Sequence, residues 1–308
     1  TLLEYLRHGD CTRTLDPTHG IEQHAISLTQ NDVTVKLNVW DLGGQEYMHS
    51  THQFFFTQAT LYLLVTTPRL DGKDLEHWMK MIQALAGKDA PVLVVITKGD
   101  KDSRHINEVG IQQAYPQVKG FVYTRTDQPQ TITHQLKEKI QTIIFDKQIM
   151  PEVFYKRTPA WIKIREMMWQ EQFQKDYLNY EQCEERFKSQ DPTLKEDTVK
   201  TILKLLNKIG VIVTYLDDER LDESLNSTYI LKPEWVTTGI YAILTDSQIS
   251  DENGRFTIQD LKRIFQTPKY QERYPSHKYD FLIGLLKKFE LCYKAEGSDL
   301  YFIPQLFT

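Results

Sequence analysis

The sequence has no apolar stretch approaching the ~18 residues of a membrane-spanning helix, and nothing in it reads as a secretory leader. The expectation is therefore a cytoplasmic protein with no membrane span. Its three cysteines, Cys11, Cys183 and Cys292, are odd in number and far apart. That spacing excludes a disulfide framework and indicates reduced thiols, with Cys292 assigned to a core strand. An excess of basic residues is also absent, since 37 Lys and Arg stand against 42 Asp and Glu for a formal net charge of -5. The nine histidines have no metal-ligand spacing. Missing too is any Gly-x-x-x-x-Gly-Lys-Ser/Thr loop, whose amides and lysine cradle phosphates. What remains is a 308-residue chain long enough for two domains with real cores.

Two strand ends carry the chemistry. Val33, Val35, Leu37 and Val39 alternate with Thr34, Lys36 and Asn38, the period of a half-buried strand. That strand delivers Asp41-Leu42-Gly43-Gly44-Gln45 at its carboxyl end, where open α/β sheets bind ligands. A carboxylate at Asp41 can hold a water of a Mg²⁺ shell. The backbone N–H of Gly44 can approach a terminal phosphate because no Cβ obstructs it. Gln45 is then placed to orient an attacking water, as the matching glutamine does in Ras-like proteins. Taken alone, this stretch reads equally as a glycine-rich turn. The second motif follows Pro91 to Ile96, an unbroken apolar run expected of a parallel strand buried on both faces, which empties into Thr97-Lys98-Gly99-Asp100. This is similar to the Asn/Thr-Lys-x-Asp motif that reads guanine. A carboxylate at Asp100 accepts hydrogen bonds from N1–H and the 2-amino group, a donor pair that adenine lacks. Lys98 would cover the base with its aliphatic stem and tie down the phosphate loop.

The chain opens Thr1-Leu2-Leu3-Glu4-Tyr5-Leu6, as does the helix after a phosphate loop. The first strand and that loop are expected to precede Thr1, which would be one of the hydroxyl residues closing the motif. Without the loop, these residues alone should bind nucleotide poorly. Within Asp16-Pro17-Thr18-His19-Gly20-Ile21, Thr18 is the candidate to sense Mg²⁺ and γ-phosphate, with Thr12 and Thr14 as competitors and a plain Pro/Gly loop as the bland reading. Ile26 to Val33 predicts a hairpin turning at Gln30-Asn31-Asp32. Strands are expected over 59–66 and 121–124, and helices over 75–86 and 131–145, the last with Ile132, Leu136, Ile140 and Ile143 on one stripe. Such alternation indicates a mainly parallel sheet covered on both faces. The last guanine motif, often Ser-Ala-Lys, would fall within Val122 to Asp127. There the sequence departs from it, so base-edge contacts are expected to be weaker or made by the backbone.

The second half reads as a separate domain after a boundary within 147–159. Asp191-Pro192-Thr193 is expected to open a helix, lined by Val199, Ile202, Leu203, Leu205, Leu206 and Ile209, that stops at Gly210. Val211 to Tyr215 and Tyr229 to Leu231 then predict a hairpin around an acidic loop. Segments 256–265 and 279–289, with strands over 291–293 and 301–303, repeat this winged-helix pattern loosely. Asp217, Asp218, Glu219, Asp222 and Glu223 in the first wing would repel phosphates, which argues against nucleic acid.

Taken with their flanks, these segments carry a specific resemblance. Trp40 to Glu46 with Met48-His49-Ser50-Thr51-His52-Gln53-Phe54-Phe55 resembles the Roc domain of Roco proteins. Thr158-Pro159-Ala160-Trp161, Ile230 to Val236, Lys287 to Tyr293 and Tyr301 to Pro304 are similar to hallmark stretches of the COR domain, so the resemblance covers essentially the whole chain. It implies a bacterial or similar Roco protein. Its fold class would be α/β, a Ras-like P-loop GTPase sheet followed by an α+β COR domain with winged-helix-like elements. Roc would occupy 1–147 and COR 148–308, the latter split into 148–232 and a dimerisation half, 233–308. The resemblance further implies a Mg²⁺-dependent GTPase switch in signalling, acting on GTP and releasing GDP. COR would sense the switches and form a homodimer, hydrolysis would be assisted across that dimer by Arg69, and leucine-rich repeats or a kinase would share the polypeptide. His49 and His52 are read as switch residues packing on COR. A GTPase-fold scaffold that binds guanine nucleotide without useful turnover is the alternative, and an ATP-driven switch a more distant one that Asp100 opposes.

Overall fold

A computed structural model of the chain describes residues 2–9, 20–43, 49–56, 60–67, 72–97, 106–215 and 223–307. Its contacts form two compact units, one of residues 1–17, 24–41 and 56–157, the other of 18–23, 42–55 and 158–308.

In the first unit, α1 (Leu2–His8) lays Leu2, Tyr5 and Leu6 on the core at helical spacing. Strands β1 (Ile21–Gln30) and β2 (Val33–Leu42) form the expected hairpin. Its turn places Asn31 and Asp32 at φ 48° and 62°, the left-handed geometry that a two-residue hairpin demands and that these residue types tolerate. Ile26, Leu28, Val35 and Leu37 face the core, whereas Val33, beside the turn, is exposed. The helical turn α2 (His49–His52) belongs to the second unit. Strands β3 (Tyr62–Thr66), β4 (Val92–Thr97) and β5 (Val118–Thr124) make a parallel sheet in that order, with helices α3 (Gly72–Ala86) and α4 (Glu108–Ala114) between them. β4 is the buried centre. Leu93 and Val95 pack toward Ile132, Leu136, Ile140 and Ile143, while Val92, Val94 and Ile96 pack toward Met79, Ile82 and Ala86. Period-two alternation within one apolar run thus builds both layers.

The expected helix over 131–145 begins as a π-helix, Thr131–Leu136, before α5 (Lys137–Ile144). α4 escapes the sequence because its Val109 is exposed, which spoils the apolar stripe; the Asn107 side chain, accepting the Gly110 N–H at 2.9 Å, caps it.

Beyond residue 157 the second unit continues with α6 (Pro159–Glu171). The Thr-Pro-x-Trp hallmark is helix-start chemistry: the Thr158 hydroxyl accepts the Trp161 N–H at 3.2 Å and Pro159 occupies the first turn. β6 (Tyr177–Leu178) leads to α7 (Tyr180–Gln190), opened by an Asn179–Gln182 capping box. α8 (Glu196–Lys208) starts later than Asp191-Pro192-Thr193 suggested, because the Asp191 carboxylate turns back to accept the Thr193 N–H and hydroxyl at 3.0 and 2.6 Å. It ends as expected at Gly210, φ 65°, with the Val211 N–H donating to Leu206 O at 2.9 Å. After α9 (Glu223–Asn226), β7 (Tyr229–Ile230) pairs with β6, so the expected first wing shrinks to a single Val213–Ile230 bridge. Residues 216–222 of its acidic loop lie outside the described residues. Then come α10 (Pro233–Leu244), α11 (Ser247–Asp251), β8 (Arg255–Phe256), α12 (Ile258–Phe265), α13 (Tyr279–Lys288), β9 (Tyr293–Lys294) and β10 (Tyr301–Phe302). The last three strands form an antiparallel sheet in the order β8-β10-β9. Cys183 and Cys292 are buried free thiols; Cys292 immediately precedes β9 rather than lying in a strand.

Trp235 ties this unit together. Its ring stacks on Tyr274 and Phe281 at 5.6 Å each and meets Tyr177 at 4.8 Å, while its Nε1–H donates to Arg273 O at 3.0 Å. Arg273 in turn forks onto Asp176 at 2.9 and 3.1 Å. Beside this cluster, Lys278 is buried with its Nζ donating to Thr228 Oγ1 at 2.9 Å and lying 4.3 Å from the Tyr177 ring centre. With no carboxylate among the described residues to offset its burial, the ammonium drops from 10.5 to about 8. Because the folded value is the lower one, the unfolded chain binds more protons between about 8 and 10.5, and stability should rise with pH across that window. Thr228 and Tyr177 recover part of the cost at neutral pH. Replacing Lys278 with Met should stabilise the chain at pH 7 by about 1–3 kcal/mol. In thermal unfolding, that advantage should shrink as pH rises through the window; a gap independent of pH would contradict the assignment.

Candidate functional site

The carboxyl edge of the parallel sheet is knitted by threonines. Register sets Thr66 opposite Ile96 and Thr97 opposite Thr124. The Thr97 hydroxyl donates to Thr66 O at 3.1 Å, and the buried Thr124 hydroxyl to Ile96 O at 3.4 Å. Each hydroxyl is committed to a neighbouring strand, so Thr97 holds the strand end from which the candidate base-reading segment departs. Asp41, half-buried, is the penultimate residue of β2 and belongs to the hairpin rather than to this sheet. Gly43 follows it, buried, its N–H donating to Gly20 O at 2.8 Å. Thr1, Thr18, Gly44, Gln45, Arg69, Lys98 and Asp100 lie outside the described residues.

Among the described residues, no group of three or more His, Cys, Asp or Glu is arranged to hold a metal. A single strand-end carboxylate such as Asp41 suits Mg²⁺, which keeps several waters and takes few protein ligands beside substrate phosphates.

Near the end of β5, Tyr123 donates to Glu108 Oε1 at 2.7 Å; burial first, then this bond, push its phenol up to about 12. The Arg125 guanidinium grips the Asp127 carboxylate at 2.6 and 3.0 Å and, as the main cause, holds that carboxyl below its ordinary range. The stretch that departs from Ser-Ala-Lys is thus an ordered turn whose two charged side chains neutralise each other.

The segment after Gln45 has a different setting. Thr51, His52, Phe54 and Phe55 are buried, and within the second unit they meet a set of aromatic side chains. Thr51 Oγ1 and the Tyr241 hydroxyl share a hydrogen bond at 2.7 Å. The Tyr215 hydroxyl donates to Phe54 O at 3.0 Å, and Gln53 Nε2 donates to Phe289 O at 3.4 Å. The Phe54 ring lies 4.5 Å from that of Phe289, which meets Tyr215 at 6.0 Å. Burial drives the Tyr215 phenol far above its ordinary value, so it stays a hydrogen-bond donor at any physiological pH. Gly20, φ 81°, sits where a Cβ would come within 2.9 Å of Thr237 Oγ1. The burial of His52 agrees with its reading as a packing residue. The sequence offered little warning of Tyr215, Tyr241 or Phe289, whose apolar neighbours mark them only as core.

Comparison with known proteins extends these observations. A family model described as "Ras of Complex, Roc, domain of DAPkinase" matches residues 1–100, and one described as "C-terminal of Roc, COR-A domain" matches 159–307. The chain is 28% identical to a Roc-COR-CHAT protease of Runella zeae over 88% of its own length and 28% of the relative's. It is 26% identical to the probable serine/threonine-protein kinase pats1 of Dictyostelium discoideum over 89% of its length and 8% of the kinase. The chain therefore spans less than a third of either relative. A solved structure of Methanosarcina barkeri Roco2 RocCORdC bound to GDP superposes with a TM-score of 0.83 at 29% identity, covering 99% of this chain and 91% of that one. With a parallel Ras-like sheet leading into a helix-rich unit closed by a small antiparallel sheet, the chain is a Roc-COR tandem of the Roco family of Ras-like GTPases.

Proposed function

We propose that this tandem is a GTP-driven switch in which Roc binds and hydrolyses GTP and COR reads the outcome through residues 49–55. The observation that carries the reading is the burial of Thr51, Phe54 and Phe55 beside Tyr241, Tyr215 and Phe289, a short way along the chain from Gln45. A segment whose near end attends the reacting phosphate and whose far end is buried in COR joins chemistry to output. In hydrolysis, water attacks the γ-phosphorus, the bond to the β–γ bridging oxygen breaks, and GDP and phosphate leave. Gln45 orients the water, the Gly44 N–H steadies the γ-phosphate, and Thr1 closes the phosphate-loop motif that binds the β-phosphate. Thr97 anchors the segment in which Lys98 covers the base and Asp100 accepts its N1–H and 2-amino protons. Asp41 and Thr18 are the residues that would hold Mg²⁺, which neutralises phosphate charge when bound.

Arg69 is assigned to the transferred phosphoryl of a partner Roc, within a homodimer formed by the C-terminal half of COR. One relative's name joins Roc-COR to a protease and another's names a kinase, and an output of that kind in the same polypeptide suits this tandem. No helix among the described residues is long and apolar enough to cross a membrane; a cytoplasmic location is part of the proposal.

Two measurements test this reading. In the full-length protein, GTP and GDP should displace a fluorescent GDP where ATP and XTP do not, and Asp100→Asn should turn preference toward XTP. Displacement by none of them would leave a nucleotide-free scaffold. Second, single-turnover hydrolysis should rise with protein concentration over the range in which light scattering detects a dimer. Arg69→Ala should abolish that rise, slowing the dimer by about a hundredfold or more. A rate independent of concentration, or unchanged in Arg69→Ala, removes the cross-dimer arginine.

A further inference from the structure

The two candidate switch segments share one root. The Gly43 N–H donates to Gly20 O at 2.8 Å, which ties the chain just before Gln45 to the chain just after Thr18. Both glycines are buried, and both belong to the second compact unit together with α10. That helix meets the root and the segment beyond it with side chains one turn apart. Thr237 stands where a Cβ on Gly20 would come within 2.9 Å of its Oγ1, and Tyr241, on the next turn, shares a hydrogen bond with Thr51 Oγ1 at 2.7 Å.

Neither side of the Gly20–Thr237 approach yields easily. Thr237 is 1% exposed, and its hydroxyl donates to Glu234 O at 3.1 Å, which fixes this short β-branched side chain against Gly20. Gly20 has φ 81°, a left-handed conformation that glycine adopts at no steric cost. The opposite face of α10 is held as well: Trp235 stacks on Tyr274, and a Cβ on Gly239 would meet that same ring at 2.6 Å. A helix braced from behind presents Thr237 and Tyr241 as fixed points, one to the chain after Thr18 and one to the chain after Gln45.

We propose that Thr237 is a positioning residue for recognition of the γ-phosphate: through it, α10 holds the Gly20–Gly43 root of both switch segments and so sets how strongly the site prefers GTP to GDP. The inference rests on the switch reading above and deepens it, since that reading has COR respond through residues 49–55 alone. Coupling between two sites is reciprocal. If a γ-phosphate shifts the root against α10, a change at α10 must alter affinity for the γ-phosphate. The base and the β-phosphate, assigned to other segments, are indifferent to it.

The test measures affinity for GTPγS, a slowly hydrolysed GTP analogue, and for GDP in the full-length protein. Gly20→Ala pushes the root off Thr237 and should weaken GTPγS by about tenfold while GDP binds as in wild type. Adding Thr237→Ala, which removes the obstructing hydroxyl and leaves the backbone at Gly20 as it was, should return most of the lost preference. If Gly20→Ala fails to fold, Tyr241→Phe carries the test: loss of the hydroxyl from Thr51 should weaken GTPγS by about threefold and leave GDP unchanged. Equal loss of both nucleotides, or a defect in Gly20→Ala that Thr237→Ala does not relieve, overturns the assignment, as does an unaltered preference in Tyr241→Phe. Wild-type protein that binds neither nucleotide overturns the switch reading itself, a separate and recognisable result.

Discussion

The structure depends on the burial of one short segment. Residues 51–55 place two phenylalanines, a threonine and a histidine at 4% exposure or less, and the Tyr215 hydroxyl donates to the carbonyl of Phe54. Burying two such aromatic side chains is worth about 3–6 kcal/mol by area, so this segment cannot leave its site cheaply. The chain passes from the first compact unit to the second between Asp41 and Leu42, with Gln45 a few residues further on. Whatever moves the chain near a γ-phosphate must either drag the buried end or work against it.

The reader proposed for that movement would need a stiff body, and the packing of the second unit is of that kind. Trp235 packs against Tyr177, Tyr274 and Phe281, and Gly239 is a glycine because a Cβ there would meet the Tyr274 ring at 2.6 Å. The Arg273–Asp176 fork closes the same cluster with charge-assisted bonds, and the Leu231 and Lys232 N–H groups donate to Asp176 O at 2.9 and 3.0 Å. Close packing of this kind transmits displacement rather than absorbing it.

The sequence made the strand ends legible because period-two alternation is a local signal. Asp41 and Thr97 fall where β2 and β4 end, and β4 is buried on both faces as its unbroken apolar run implied. Other features depend on partners far away in the chain. Asp191-Pro192 is as good a turn as a helix cap, and only the hydrogen bonds to Thr193 decide between them. The first wing lost most of its ladder because β7 found β6, about fifty residues upstream, a competition no window of sequence displays. The π-helix at Thr131 leaves the same apolar stripe as an α-helix, so periodicity passes over it. The surroundings of residues 51–54 were not readable, because the aromatic side chains there come from three separate stretches of the second unit.

Hydrogen exchange in wild type and Phe289→Ala tests most directly whether the switch segment folds with COR. In wild type, amides of residues 51–55 should be protected to the level of α10 and α13. In Phe289→Ala they should exchange faster by about tenfold or more while Val92–Thr97 stays protected. Exchange at 51–55 as fast as in an exposed loop, or unaltered by the loss of the Phe289 ring, would contradict the account.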